Sequence, residues 1–117
     1  MKILSPRLHG IIDYLVIVFL FLSPKMFGMT GFPATFTYIL GSVHLLLTIL
    51  TIYPLGIIRV IPFRVHGVIE VLVSLVLFWM ALMQFGDIPL VRNYYIGFSI
   101  AVFIVWLITN YKKGLKT

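Results

Sequence analysis

Four apolar runs, each closed by turn-forming residues, constrain this chain more than any other feature. They extend roughly over Leu8 to Phe27, Ala34 to Tyr53, Val65 to Phe85 and Tyr94 to Tyr111. A helix rises 1.5 Å per residue, so runs of ~20 residues are long enough to cross about 30 Å of hydrocarbon. Gly28-Met29-Thr30-Gly31-Phe32-Pro33 separates the first pair, Pro54-Leu55-Gly56 opens the middle connection, and Gly86-Asp87-Ile88-Pro89 separates the last pair. Glycine and proline break helices, so the runs are expected to end there.

Composition decides which solvent these helices meet. The chain has 117 residues, 62% hydrophobic and 10% charged, with a mean hydropathy of +1.14. Soluble domains carry about 25% charged residues, and a body this small cannot bury so much apolar surface in itself. A bilayer is therefore the expected solvent. The net charge of +6 does not point to nucleic acid, because the basic residues sit at the ends of apolar runs instead of forming a stripe. There are no cysteines, which excludes disulfides, thiolate metal sites and a thiol nucleophile. The first run is not expected to be a cleaved signal: no small-x-small site follows it, and a near copy recurs inside the chain.

That copy is an internal repeat. Arg7-Leu8-His9-Gly10-Ile11-Ile12-Asp13 returns as Arg64-Val65-His66-Gly67-Val68-Ile69-Glu70, and, one residue further along, Phe27-Gly28 returns as Phe85-Gly86 and Thr51-Ile52-Tyr53 as Thr109-Asn110-Tyr111. The first unit covers about 7–56 and the second about 64–114. Each unit contains two crossings, so both copies enter from the same side, as a parallel repeat. The expected fold is all-α: an integral membrane four-helix bundle made from a duplicated two-helix hairpin.

Lysine and arginine set the orientation. One side carries Lys2, Arg7, Arg59, Arg64, Lys112, Lys113 and Lys116, the other only Lys25 and Arg92. The excess predicts both termini in the cytoplasm, with the apolar linker Leu55 to Phe63 lying in the cytoplasmic interface. Helices in lipid pack through small and polar residues, which assigns Gly41, Gly97 and Ala101 to helix contacts.

The repeated Arg-x-His-Gly-x-Ile-Asp/Glu is the sharpest chemical signal. A spacing of four puts His9 with Asp13, and His66 with Glu70, on one helix face. The carboxylates lie about 6 Å deeper than the histidines at 1.5 Å per residue. An ionised acid at a helix centre costs on the order of 2.5–3.5 kcal/mol, so a partner must offset it. Three arrangements answer that need. Arg7 and Arg64, together with the histidines, could pair with the acids and stitch the cytoplasmic ends together. The two His/carboxylate pairs could form a proton- or ion-binding site. Two imidazoles and two carboxylates also suit iron, manganese or zinc.

His44 has no counterpart, since Val102 holds the equivalent position in the second unit. It reads either as a neutral histidine bonded to a neighbouring threonine or carbonyl, or as an axial haem ligand or relay group. The tyrosines cluster at helix ends as an interfacial belt. No phosphate loop, zinc-protease helix or nucleophile triad is present, so the sequence does not point to an enzyme.

The duplicated histidine motif, Ser23-Pro24 closing the first run, and the connection Tyr53-Pro54-Leu55-Gly56-Ile57-Ile58-Arg59-Val60-Ile61-Pro62 resemble the small bacterial membrane proteins of the SPW-repeat kind. Lys25 stands where that pattern has tryptophan, and Met80-Ala81 replaces the second Ser-Pro. The resemblance implies a four-helix fold in the bacterial inner membrane without an assigned chemistry. The leading functional expectation is a homo-oligomer or an accessory subunit of a larger membrane complex. A proton- or ion-translocating module and a b-type haem or metal carrier are the alternatives.

Overall fold

The computed structural model describes residues 2–113, so the expected end of the second repeat at 114 and the charge counted at Lys116 lie outside it. Four helices dominate: α1 (Pro6–Met26), α2 (Gly31–Leu50), α3 (Phe63–Met83) and α4 (Pro89–Ile108). Each is long and apolar enough to cross a membrane. Their starts reflect simple backbone chemistry. The Ser5 hydroxyl accepts from the Leu8 amide at 3.2 Å, and Pro6 and Pro89 occupy the first turns, where a missing N–H costs nothing. Between α1 and α2 the chain turns on Gly28 (φ 66°) and Gly31 (φ 61°), a left-handed conformation that a Cβ penalises.

Helix α1 packs on α2, and α3 on α4. The two hairpins are tied together at one end by backbone pairing. Thr51–Ile52 (β1), leaving α2, lies parallel to Ile61–Pro62 (β2), entering α3. Leu4, entering α1, forms the matching parallel bridge to Thr109, leaving α4. In the latter the Leu4 amide donates to the Ile108 carbonyl and the Asn110 amide to the Leu4 carbonyl, both at 2.9 Å. Gly56 is required in the linker, because a Cβ there would fall 1.8 Å from the Thr51 carbonyl oxygen.

The helices end before the apolar runs do. Hydrophobicity places Tyr53 and Tyr111 at helix ends, whereas α2 stops at Leu50 and α4 at Ile108. Thr51 and Thr109 are already extended, at φ −81°, ψ 141° and φ −83°, ψ 138°. Apolar content does not distinguish a helix from the extended residue that follows it, and here that extension turns both tyrosines inward.

The polarity of the body is inverted relative to a soluble domain. His9, Asp13, Thr51, His66, Glu70 and Thr109 are buried, whereas Leu15 is 65% exposed and Trp79 59%. An apolar exterior around a polar interior is stable where the surroundings are themselves apolar.

The small residues divide into two kinds. Gly41 does hold helices together, since a Cβ there would meet Leu20 Cβ at 3.3 Å and Phe21 Cζ at 3.4 Å. Gly97 does not: a Cβ on it meets nothing within 4 Å, and Gly97 and Ala101 both line a cavity of about 640 Å³ bounded by all four helices. Within the chain, Gly97 therefore has no packing role against another helix. Small side chains on a helix leave room, and only a neighbour close enough to use that room turns it into contact.

Candidate metal centre

The i,i+4 spacing in α1 and α3 carries His9 with Asp13 and His66 with Glu70 to the inner face of their helices. All four side chains are buried, and one ligand atom from each lies within 4.8 Å of the other three. The two imidazole rings stand 5.3 Å apart, nearly perpendicular at 79°. His9 Nε2 is 2.8 Å and His66 Nε2 2.5 Å from the same oxygen, Glu70 Oε1. Asp13 completes the group, its Oδ1 3.4 Å from His9 Nε2 and its Oδ2 3.4 Å from His66 Nε2.

The opposite edge of each ring determines what these Nε2 atoms can be. His66 Nδ1 meets Thr51 Oγ1 at 2.6 Å, and His9 Nδ1 meets Thr109 Oγ1 at 2.8 Å. Each hydroxyl already spends its proton on a carbonyl one turn back, Thr51 on Leu47 at 2.6 Å and Thr109 on Val105 at 2.5 Å. The threonine oxygen is therefore an acceptor, and the hydrogen between it and the ring belongs to Nδ1. In the neutral imidazole this leaves a lone pair on Nε2, aimed at the carboxylates. Two lone pairs facing two carboxylates at these distances demand positive charge between them.

Tyrosines bind the outer carboxylate oxygens. Tyr53 Oη donates to Asp13 Oδ2 at 2.8 Å and Tyr111 Oη to Glu70 Oε2 at 3.4 Å. Burial first, and then the adjacent carboxylate, push both phenols well above their usual pKa, so they remain donors. Gly67 makes the second contact accessible, because a Cβ there would lie 2.8 Å from Tyr111 Cε1. Phe63, 3% exposed, covers the cluster, its ring 5.3 Å from His9, 5.7 Å from His66, 5.1 Å from Tyr53 and 4.6 Å from Tyr111. Water is thus kept off that edge of the imidazoles.

Arg7 and Arg64 take no part. Both are exposed, and among the described residues every ion pair with Asp13 or Glu70 comes from a histidine. The reason is rotation: two residues along a helix is about 200°, so an arginine two positions before an inward histidine points outward. The expectation that these arginines neutralise the acids is corrected. His44 does not use its Nε2 to bond a neighbouring threonine or carbonyl. Its Nε2 is buried, makes no hydrogen bond, and stands 3.4 Å from Asp13 Oδ1. Haem fits poorly between His9 and His66, since both Nε2 atoms approach one carboxylate oxygen and leave no gap for a porphyrin plane.

Thr51, Thr109, Tyr53 and Tyr111 were not legible as site residues, although the recurrence of Thr51-Ile52-Tyr53 as Thr109-Asn110-Tyr111 carried the signal. Their contacts recur as well: each threonine holds a histidine of the other hairpin, and each tyrosine a carboxylate of its own. No family model, curated protein or solved structure matches the chain.

Proposed function

We propose that this chain is a bacterial inner-membrane protein of the SPW-repeat kind, built from two copies of one hairpin with both termini cytoplasmic. It binds one first-row transition-metal ion between the copies, and works as a homo-oligomer or as an accessory subunit of a larger membrane complex. His9, Asp13, His66 and Glu70 are the ligands. The observation that carries the reading is the pair of threonines. A metal-binding histidine characteristically gives its other N–H to a fixed acceptor, which orients the ring and selects the tautomer. Thr51 and Thr109 do this for both imidazoles.

Charge and size agree. A divalent ion offsets two carboxylates and leaves a neutral centre, which apolar surroundings tolerate far better than an unpaired charge. Metal–ligand bonds of about 2.0–2.1 Å put tetrahedral donor atoms roughly 3.3 Å apart, close to the 3.4 Å from Asp13 to each histidine, whereas Glu70 Oε1, at 2.8 Å and 2.5 Å from the same nitrogens, would have to draw back to ligate. Two nitrogens and two carboxylates suit iron, manganese or zinc.

Elemental analysis of protein purified gently from its native membrane tests this. About one equivalent of metal per chain is expected, lost in the double variant His9→Ala/His66→Ala while the helical circular-dichroism signal persists. Metal-free native protein that also fails to take up Zn²⁺, Mn²⁺ or Fe²⁺ would overturn the proposal. It would leave a proton-handling network, which the 2.5 Å approach of His66 Nε2 to Glu70 Oε1 favours as the second reading.

A further inference from the structure

The arginine of the repeated motif finds no partner inside the protein. Arg7 and Arg64 are exposed, and among the described residues neither guanidinium makes a hydrogen bond or an ion pair. Their cationic neighbours differ in this respect. Lys2 Nζ donates to the Leu107 carbonyl at 3.1 Å, and Arg59 to the carbonyls of Pro54 at 3.2 Å and Gly56 at 3.3 Å. No acid offsets the charge at this end of the bundle, where α1 begins and α4 ends. The chain has three acids: Asp13 and Glu70 are buried with the histidines, and Asp87 lies in the turn between α3 and α4, at the opposite end.

Below each arginine runs the same apolar stripe. Steps of four, four and three residues lead from Arg7 to Ile11, Leu15 and Val18 in α1, and from Arg64 to Val68, Leu72 and Leu75 in α3. Such steps keep to one helix face, and all six apolar side chains are exposed. At 1.5 Å per residue each stripe descends about 16 Å from its arginine, close to half of the ~30 Å hydrocarbon thickness, the depth of one leaflet.

We propose that each hairpin carries one site for an anionic diacyl phospholipid, its phosphate on Arg7 or Arg64 and an acyl chain along the stripe beneath. Charge selects the lipid. A guanidinium pairs with a phosphate through two parallel hydrogen bonds. A zwitterionic headgroup brings its own cation to that phosphate and adds no net counter-charge to a face that has none, whereas an anionic headgroup supplies it. The inference shares with the proposed function only the membrane setting, and it does not involve the buried ligands.

Native mass spectrometry of the purified full chain in detergent, with dioleoylphosphatidylglycerol or dioleoylphosphatidylcholine added at equal concentration, tests this, with metal content and helical circular dichroism read on the same samples. Wild-type protein is expected to retain two phosphatidylglycerol molecules per chain and to hold phosphatidylcholine at least fivefold less well. Arg7→Gln and Arg64→Gln should each retain one, and the double variant should fall to the phosphatidylcholine level with helix content unchanged. Arg59→Gln removes the same charge from a guanidinium that already has partners and no stripe below it, and should still retain two. Glycerol 3-phosphate, which has the phosphate without the chains, should not displace the lipid at equal concentration. Equal retention of the two lipids, two phosphatidylglycerols on the double variant, a loss in Arg59→Gln as large as in Arg7→Gln, displacement by glycerol 3-phosphate, or a lipid-free dimer of the chain would each overturn the inference. Bound metal without lipid selectivity overturns only this inference, and selective lipid binding by a chain that takes up no metal overturns only the metal proposal.

Discussion

Replacing Thr51 or Thr109 with valine keeps the side-chain shape and removes the oxygen that holds an imidazole. Both threonines are fully buried and their hydroxyl protons are committed to the preceding turn, so each serves as a fixed acceptor for one ring. With the acceptor gone, the Nδ1 hydrogen loses its partner and the ring loses both its tautomer preference and its angle. Loss of such an outer partner typically costs 10–100-fold in metal affinity. Thr51→Val and Thr109→Val are each expected to weaken Zn²⁺ binding in that range, measured by competition with a chelator of known affinity. Serine at either position should recover most of the loss, because it restores the oxygen. Equal affinity in valine and wild-type proteins would mean that the hydroxyls do not orient the ligands.

Between helices, the two contrasting glycines make a paired prediction. Gly41 sits under Leu20 and Phe21 where α1 crosses α2, so a leucine there must force the helices apart. Overpacking of this kind costs about 1–3 kcal/mol. Gly97→Ala adds a methyl group where there is open space and should stabilise α4 by up to about 1 kcal/mol through helix propensity. Detergent-based unfolding should therefore order the proteins as Gly97→Ala at or above wild type, and wild type above Gly41→Leu. The reverse order would place the helix contact on the wrong face. The same pair shows what a sequence reveals at this scale. Periodicity identifies small residues on one face, and it finds His9, Asp13, His66 and Glu70 by their spacing of four. It does not tell whether a small face meets a neighbour or a hollow, because that depends on the distance between hairpins. Nor does it show that Thr51 and Tyr53 leave the helix to reach the site, since extended and helical residues can be equally apolar.

For the molecule as a whole, the four apolar helices are legible because hydropathy and length constrain them together. How the hairpins meet is not, because the bridges at Leu4–Thr109 and β1–β2 are main-chain pairings, which side-chain identity does not specify. Orientation in the membrane can be read directly, helped by the absence of native cysteine. Arg59 lies in the linker between the hairpins and Arg92 in the first turn of α4, at opposite ends of the helices. With cytoplasmic termini, a membrane-impermeant thiol reagent applied to intact spheroplasts should label Arg92→Cys and spare Arg59→Cys until the cells are opened. Labelling of Arg59→Cys alone would invert the topology.

The threonine-to-histidine contacts cross from one hairpin to the other in both directions. On the proposed metal reading, neither half owns a finished pair of ligands: the amino-terminal half contributes an imidazole that the carboxy-terminal half must aim, and the reverse holds equally. An ion arriving during biosynthesis would thus find firm purchase only after the last segment has docked, which makes occupancy a signature of complete assembly.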